Sequence, residues 1–236
     1  MESEESKINN NNTIKEKIES AYRTLGSSSL YDDMMTRSSY LGSFIQYAVW
    51  GYSKSDNDLL NGTVLSYIGE NFSGKLLDVP VGTGVLTIPF YSIIQNADIN
   101  CLDYSEEMMN RSKEKSDKLN IKNIKFKQGD VGNLPYEDNS FDIVLSMNGF
   151  HAFPDKEKAY SETYRVLKEG GKFCGCFYIR GQGCFTDFLV NNIYVTKGYF
   201  TPPFETLESF RERMEKMYKE VEIGNVKSFV YFKCIK

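Results

Sequence analysis

The feature that most constrains the fold is an alternation of short apolar runs with helical segments between residues 75 and 178. The apolar runs have the length and composition of buried strands, and polar stretches separate them. The predicted strands are Lys75–Val79, Ile99–Asp103, Ile124–Gln128, Phe141–Met147 and Gly171–Tyr178. Helices are predicted to begin near Gly84, Ser105 and Asp155. Because strand–helix–strand units build parallel sheets, the pattern predicts a doubly wound α/β domain.

The chain before residue 75 has the pattern of a helical extension. A polar helix is predicted from Thr13 to Tyr22, and apolar residues recur at largely helical spacing from Leu30 to Trp50. Such a stripe either packs a helix against the core or closes it over a ligand. A further helix is predicted from Asp56 to Asn71. We therefore divide the chain into a flexible tail with a helical cap at residues 1–55 and a main domain at residues 56–236.

The alternation of strand and helix patterns ends after Ile179. Residues 181–203 are aromatic and punctuated by glycine, and an amphipathic helix is predicted from Glu205 to Tyr218. Together they predict a lid inserted into the main domain at about residues 180–218. A last strand is predicted from Val226 to Ile235.

Composition narrows the class of protein. The chain has 236 residues, a net charge of -4 and scattered Lys and Arg, so nucleic acid is not an expected partner. No apolar run approaches the roughly 18 residues of a membrane span. The first twelve residues resemble no signal or transit peptide, so a cytoplasmic monomer or homodimer is expected. The five cysteines form no Cys-x-x-Cys pair, and neither a disulfide framework nor a metal site is predicted.

The first chemical motif is a buried strand that runs into a glycine-rich turn, Leu76-Leu77-Asp78-Val79-Pro80-Val81-Gly82-Thr83-Gly84. We call residues 80–84 the glycine turn. Ligands of open α/β sheets bind at the carboxyl ends of strands, where glycine lets them approach the backbone. An ordinary tight turn would have a similar composition. A dinucleotide site needs a third glycine where this chain has Thr87, so a nucleoside without phosphate is favoured over NAD.

Carboxylates stand at the ends of three successive strands, at Asp78, Asp103 and Asp130. Asp103 can accept hydrogen bonds from both hydroxyls of a ribose, and Asp130 can accept one from an adenine amino group. Each aspartate alone could be a turn residue, and Ser105 is a candidate N-cap of the next helix. Together they predict a shared ligand at one rim of the sheet.

Between Asp78 and Phe173 the chain resembles the class I S-adenosylmethionine-dependent methyltransferases, in the small-molecule branch that includes the ubiquinone and menaquinone C-methyltransferases. The resemblance rests on the glycine turn and four further segments. They are Leu102-Asp103-Tyr104-Ser105-Glu106-Glu107-Met108, Gly129-Asp130-Val131, Ser140-Phe141-Asp142-Ile143-Val144 and Arg165-Val166-Leu167-Lys168-Glu169-Gly170-Gly171. It implies a Rossmann-like, seven-stranded sheet flanked by helices, parallel except for an antiparallel last strand in a hairpin.

The resemblance also implies S-adenosylmethionine as the cofactor. The predicted cofactor residues are Asp78, Pro80, Gly82, Gly84, Asp103, Tyr104, Asp130, Val131 and Asn148. By position, the two glycines border the methionine part, Asp78 assists its ammonium group, Asp103 binds the ribose, and Asp130 with the Val131 amide binds the adenine. Pro80 stands where the family usually has glycine, and it removes one possible N–H donor.

The predicted partner is a small-molecule methyl acceptor of apolar or aromatic character. Its candidate pocket residues are Tyr31, Phe150, Tyr178, Tyr194 and Tyr199, although aromatic residues of this kind also pack lids and cores. His151, the single histidine, follows the fourth predicted strand. It is either a general base for a phenol or thiol, or a buried structural residue.

These residues predict methyl transfer to oxygen or sulfur of the acceptor. Because a sulfonium is already activated, alignment and the exclusion of water carry most of the catalysis. The alternatives are carbon methylation of a quinone, a non-catalytic protein that binds S-adenosylmethionine, and a nicotinamide-dependent oxidoreductase.

Overall fold

A seven-stranded sheet lies at the centre of the structure, a computed structural model that describes residues 16–18, 20–21 and 29–236. The strands are β1 (Lys75–Asp78), β2 (Asp98–Asp103), β3 (Ile124–Gln128), β4 (Phe141–Met147), β5 (Leu167–Tyr178), β6 (Glu220–Val226) and β7 (Phe229–Ile235). Their order is β3-β2-β1-β4-β5-β7-β6, and β1 to β5 pair in parallel. Strand β7 runs antiparallel to both neighbours. The predicted sheet is confirmed.

The strand bounds differ from the predictions mainly near the C-terminus. Strand β5 begins at Leu167 instead of Gly171, because its first residues already pair with Phe141 before the register shifts. The predicted last strand is in fact the second half of a hairpin, which turns at Lys227 with a φ of 51°. The prediction missed β6, whose alternating charged and apolar residues lie at the edge of the sheet.

Helices pack around this sheet. They are α1 (Ser29–Thr36), α2 (Tyr40–Trp50), α3 (Lys54–Ser66), α4 (Thr87–Tyr91), α5 (Glu106–Lys118), α6 (Lys156–Val166), α7 (Cys184–Leu189) and α8 (Leu207–Met217). Ser105 and Asp155 cap α5 and α6 by accepting from backbone N–H groups, so both predicted helix starts are confirmed. The helix predicted near Gly84 begins only at Thr87, because Gly84 has a left-handed φ of 65°.

The N-terminal segment is more broken than its apolar spacing predicts. The stripe from Leu30 to Trp50 forms two helices, since Arg37 adopts a φ of 56° and Ser39 caps α2. The next helix is α3, which starts at a capping box formed by Ser53 and Asp56. The helix predicted from Thr13 to Tyr22 lies mostly outside the described residues. Within this stretch the structure describes residues 16–18 and 20–21, which are helical.

Alternate residues of the strands point into two cores, one on each face of the sheet. On one face, the Trp50 ring lies 5.1 Å from Phe229 and 5.3 Å from Tyr194, which joins α2 and the lid to the sheet. On the other face, Phe150 stacks on Tyr160 at 4.3 Å. Aromatic pairs of this kind add stability beyond simple area burial. The cap and the lid therefore pack into the core on the first of these two faces.

Candidate functional site

The main cleft of the described structure lies at the carboxyl ends of β1 to β4, where parallel sheets bind ligands. It encloses about 1040 Å³, including open solvent at its mouth. Eight of the nine predicted cofactor residues line it, together with Tyr31. The eight are Pro80, Gly82, Gly84, Asp103, Tyr104, Asp130, Val131 and Asn148.

The glycine turn forms the floor of the cleft. Gly82 has a φ of 58°, and a Cβ placed there would meet no atom within 4 Å, so the turn leaves room for a ligand beside the backbone. Gly84 has a different task. A Cβ at Gly84 would lie 2.4 Å from both Ile88 Cγ1 and Ser112 Oγ. This second glycine therefore serves the packing of α4 and α5 against the turn.

Asp103 connects the glycine turn to the end of β2. Its Oδ2 accepts from the Gly82 N–H at 2.7 Å and its Oδ1 accepts from the Ser105 N–H at 2.8 Å. Burial raises the pKa of Asp103 to about 6, although the hydrogen bonds from these backbone groups oppose the shift. A carboxylate has about four lone-pair positions, so it can accept from a pair of ribose hydroxyls as well.

Asp130 and Val131 form the far wall of the cleft, after β3. The Asp130 carboxylate caps a short 3-10 helix, Val131–Asn133, by accepting from the Gly132 N–H at 2.8 Å. Val131 is buried and presents an apolar surface to the cleft. A flat apolar wall beside a carboxylate suits the face and the amino edge of an adenine ring. The adenine role of this pair stays a prediction.

The last residue of β4 and the loop after it close the opposite side, which we call the β4 end of the cleft (Met147, Asn148, Ala152, Phe153 and Pro154). Asn148 takes a φ of 58°, and its N–H donates to Cys176 O at 2.7 Å. A Cβ at Gly149 would lie 2.4 Å from Pro80 Cδ, so Gly149 is what lets the glycine turn approach this loop. Among the described lining residues of the cleft, none is His, Cys, Lys, Arg or Glu.

Helix α1 covers the cleft from above, through Tyr31 and Met35. Burial and the carboxylates of Asp103 and Asp32 raise the pKa of Tyr31, which therefore stays a neutral phenol. Asp32 anchors the helix: it accepts from Thr83 Oγ1 at 2.5 Å and forms an ion pair with Lys115 Nζ at 2.8 Å. The prediction missed Asp32, because its partners are distant in sequence.

Asp78 is the predicted cofactor residue that the structure does not place on the cleft wall. It is fully buried beneath the glycine turn, and its Oδ2 accepts from the Tyr91 hydroxyl at 2.8 Å. Oδ1 has no hydrogen-bond partner, and burial raises the pKa of Asp78 to about 7. This geometry argues against a direct contact between Asp78 and an ammonium group of the cofactor.

His151 lies behind the β4 end of the cleft and not on its surface. Its Nδ1 accepts from the Tyr178 N–H at 3.1 Å, and its ring lies 3.9 Å from the Phe200 ring. Burial lowers the pKa of His151 to about 3. A general base needs an available lone pair, and this imidazole uses one to hold β5. The geometry therefore argues against the general-base role.

The remaining predicted acceptor residues lie in the cores. Phe150 packs on Tyr160, and Tyr178 packs among Trp50, Phe204 and Phe229. Tyr194 packs against Trp50 in the same aromatic group as Tyr178, and the ring of Tyr199 lies 6.1 Å from the ring of Tyr194. None of these four is among the described lining residues of the cleft. Sequence composition alone could not separate aromatic residues that pack the lid from those that contact a ligand.

The residues present fit S-adenosylmethionine. The open side of Gly82 is a cradle for a ligand that lies against the backbone, and the Asp103 carboxylate faces it from the next strand. Asp130 and Val131 would hold the adenine, Asp103 the ribose, and the glycine turn the methionine part. The described lining contains no Lys or Arg that could pair with a phosphate.

Known proteins support the same cofactor. Residues 72–180 match a family model described as a methyltransferase domain. Demethylmenaquinone methyltransferase from Staphylococcus haemolyticus is 35% identical over 162 residues, which are 68% of this chain and 60% of the relative. Ubiquinone/menaquinone biosynthesis C-methyltransferase from Rickettsia prowazekii is 38% identical over 124 residues, 50% of each chain. The matches thus span less than two thirds of these relatives.

The fold is also similar to that of solved methyltransferases. A Haemonchus contortus phosphoethanolamine N-methyltransferase 2, solved with S-adenosyl-L-methionine, superposes with a TM-score of 0.65 at 20% identity. The match covers 89% of this chain and 60% of the other. Residues 72–180, which supply most of the cleft, are therefore a methyltransferase domain, as the sequence resemblance predicts.

Proposed function

We propose that this chain methylates a small, apolar, aromatic acceptor, at a ring carbon of a quinol-type compound. The observation that carries the proposal is the apolar β4 end of the cleft, where Met147, Phe153 and Pro154 line the side opposite Asp130 and Val131. The names of the Staphylococcus and Rickettsia relatives support carbon methylation. We give these names more weight than the sequence pattern, which favours an oxygen or sulfur acceptor.

The protein binds and orients the cofactor and the acceptor, and it excludes water from the place where they meet. When bound, S-adenosylmethionine supplies a methyl group on a positively charged sulfur. Asp103 and the glycine turn fix the position of the nucleoside, and α1 covers it through Tyr31. Apolar side chains at the β4 end exclude water from the acceptor. A poorly solvated pocket favours the approach of an anionic nucleophile to a sulfonium, because their charges cancel as the bond forms.

Among the described lining residues, the carboxylates that could accept a proton are Asp103 and Asp130, and neither belongs to the β4 end of the cleft. Asp103 is engaged with backbone N–H groups, and the phenol of Tyr31 has a raised pKa. The acceptor is therefore expected to ionise without help, as quinols and thiols do more readily than alcohols. An ionised quinol has nucleophilic character at the ring carbon as well as at oxygen, and methylation at carbon would release S-adenosylhomocysteine and one ring proton.

The test is turnover with S-adenosylmethionine labelled with ¹³C in its methyl group, under anaerobic conditions. The probe acceptors are 1,4-naphthohydroquinone, a simple phenol and a small thiol. We expect a product from the quinol whose NMR spectrum shows the label on a ring carbon. A label on oxygen or sulfur would contradict carbon methylation and would support methyl transfer to an oxygen or sulfur acceptor instead.

A matched variant separates binding from chemistry. Phe153→Asp places a charge at the β4 end, and it should abolish product formation while S-adenosylhomocysteine still binds. If the unmodified protein binds S-adenosylhomocysteine but methylates none of the probes, the non-catalytic binding protein becomes the better account.

A further inference from the structure

Two helices of the cap and lid expose an apolar surface, which we call the cap face. Its members lie on α2, on α7 and on the π-helical turn after it: Tyr40, Leu41, Phe44, Tyr47, Phe185, Phe188 and Ile193. Their exposed fractions run from 42% at Ile193 to 97% at Tyr40. Helix α2 contains no charged residue. A solvent-facing helix usually shows charged or polar side chains, and large exposed apolar patches mark interaction sites.

The orientation of α2 is fixed by three contacts on its inner side. A Cβ at Gly42 would lie 2.5 Å from Asp33 O, so α1 and α2 touch backbone to backbone there. Gln46 is buried and donates to Met34 O at 3.0 Å, and Trp50 inserts into the aromatic core. The helix thus hides its glutamine and shows its aromatic residues. It cannot rotate to bury them without breaking all three contacts.

Helix α7 extends this surface beside α2. The buried Thr186 hydroxyl donates to Val49 O at 2.9 Å, which ties α7 to the C-terminal end of α2. Phe185 and Phe188 are one helical turn apart and both face solvent. The two helices are therefore neighbours, and each presents apolar residues to solvent.

The area decides what kind of partner fits. Large apolar side chains bury about 150 to 250 Å² each, so the exposed parts of the cap face sum to roughly 900 Å². The largest apolar patch of a typical monomer is about 300 to 600 Å². A standard protein interface buries about 800 Å² on each partner. The cap face is thus large enough for one side of a stable dimer.

We propose that a second copy of this chain docks on the cap face. Tyr40, Phe44 and Tyr47 follow an i, i+4, i+7 spacing and form one stripe, which can pack on its own copy across a two-fold axis. The net charge of -4 disfavours approach to an anionic lipid surface.

The dimer would also hold the cofactor cleft closed. Helix α1 lies between α2 and the cleft, touching α2 at Gly42 and reaching the cleft with Tyr31 and Met35. A partner packed on α2 restrains α1 and slows the exchange of bound nucleoside. This consequence rests on the cofactor site described above, whereas the dimer itself does not.

The experiment is sedimentation velocity of the full chain from about 1 to 100 μM. We expect a species of twice 27.1 kDa that dissociates on dilution. The double variant Phe44→Glu, Tyr47→Glu should sediment as a monomer with unchanged helical content, because buried like charges face each other across the axis. The control is Leu119→Glu. That residue is 49% exposed after α5, away from the cap face, and its variant should stay dimeric.

Two results would overturn the proposal. One is an unmodified protein that remains at 27.1 kDa throughout, and the other is a double variant as dimeric as the unmodified chain. Flotation with neutral phosphatidylcholine vesicles separates the second possible partner. A monomer that floats with these vesicles, and loses this property in the double variant, would assign the cap face to a lipid surface instead. The rate of S-adenosylhomocysteine release from dimer and monomer then tests the closure separately.

Discussion

The cofactor end of the cleft and the cap above it are built in different ways. The cofactor end uses backbone N–H groups and carboxylates at strand ends, within the continuous segment from Asp78 to Val131. The cap uses side chains from α1, whose partners Thr83 and Lys115 are far along the chain. Local motifs therefore predict the first region well and the second poorly. The following predictions, from the largest expected effect to the smallest, test this contrast.

Removal of the carboxylate that joins the glycine turn to β2 should have the largest effect. Asp103→Ala should weaken S-adenosylhomocysteine binding by about 1.5 to 3 kcal/mol, since a charged acceptor of several hydrogen bonds is lost. Isothermal titration measures it. The matched control is Asp98→Ala, at the opposite end of the same strand, where the carboxylate pairs with the exposed Lys125. Equal affinities in both variants would exclude Asp103 from the cofactor site.

The two glycines of the turn should respond differently to alanine. Both hold a left-handed φ, which costs alanine about 1 to 2 kcal/mol. Gly84→Ala also forces a Cβ into Ile88 and Ser112, so its melting temperature should fall further than that of Gly82→Ala. Gly82→Ala places its methyl in the open cleft and should mainly reduce S-adenosylhomocysteine affinity. The reverse order of melting temperatures would contradict this division of tasks.

Loss of the α1 anchor should have a smaller effect. Asp32→Ala removes the contacts with Thr83 and Lys115, which we expect to accelerate S-adenosylhomocysteine release by roughly fivefold, or about 1 kcal/mol. Stopped-flow displacement measures the rate. Asp33→Ala on the same helix loses only the exposed bond to Ser38 and serves as the control. If both variants release the nucleoside at the unmodified rate, α1 does not restrain it.

Replacement of the histidine should have the smallest effect on chemistry. His151→Asn should leave the pH profile of turnover unchanged, because an imidazole with a pKa near 3 is neutral throughout the working range. A hundredfold loss with a changed pH profile would instead restore the general base.

The same shift predicts a pH dependence of stability. The pKa of His151 is about 3 when folded and about 6.5 when unfolded, so the unfolded chain binds the proton more readily. This contribution to stability is present above pH 6.5 and declines as the pH falls toward 3. The unfolding free energy of His151→Asn should therefore decrease less between pH 7 and pH 5 than that of the unmodified chain. Denaturant titration at both pH values checks this.

In the described part of the chain, no helix is both long and apolar enough to cross a membrane.

Sequence reasoning succeeded where one residue type at one position has a local physical cause. Ser105 and Asp155 cap helices because their side chains accept from N–H groups three residues ahead. Eight predicted cofactor residues line one cleft because parallel strands end at the same rim. The predicted acceptor residues Phe150, Tyr178, Tyr194 and Tyr199 lie outside the described lining of that cleft. Sequence reasoning could not place them, because burial in a core and contact with a ligand demand the same aromatic character.

By itself the sequence determined the alternating units, the parallel sheet and the positions of the glycine turn, Asp103 and Asp130, because strand period, turn chemistry and capping act over a few residues. Only the tertiary structure decided that Asp78 lies beneath the turn, that His151 holds β5, and that Asp32 reaches Thr83. These facts depend on which side chains meet after the chain has closed. Burial and partners, which set pKa and access, are properties of that packing.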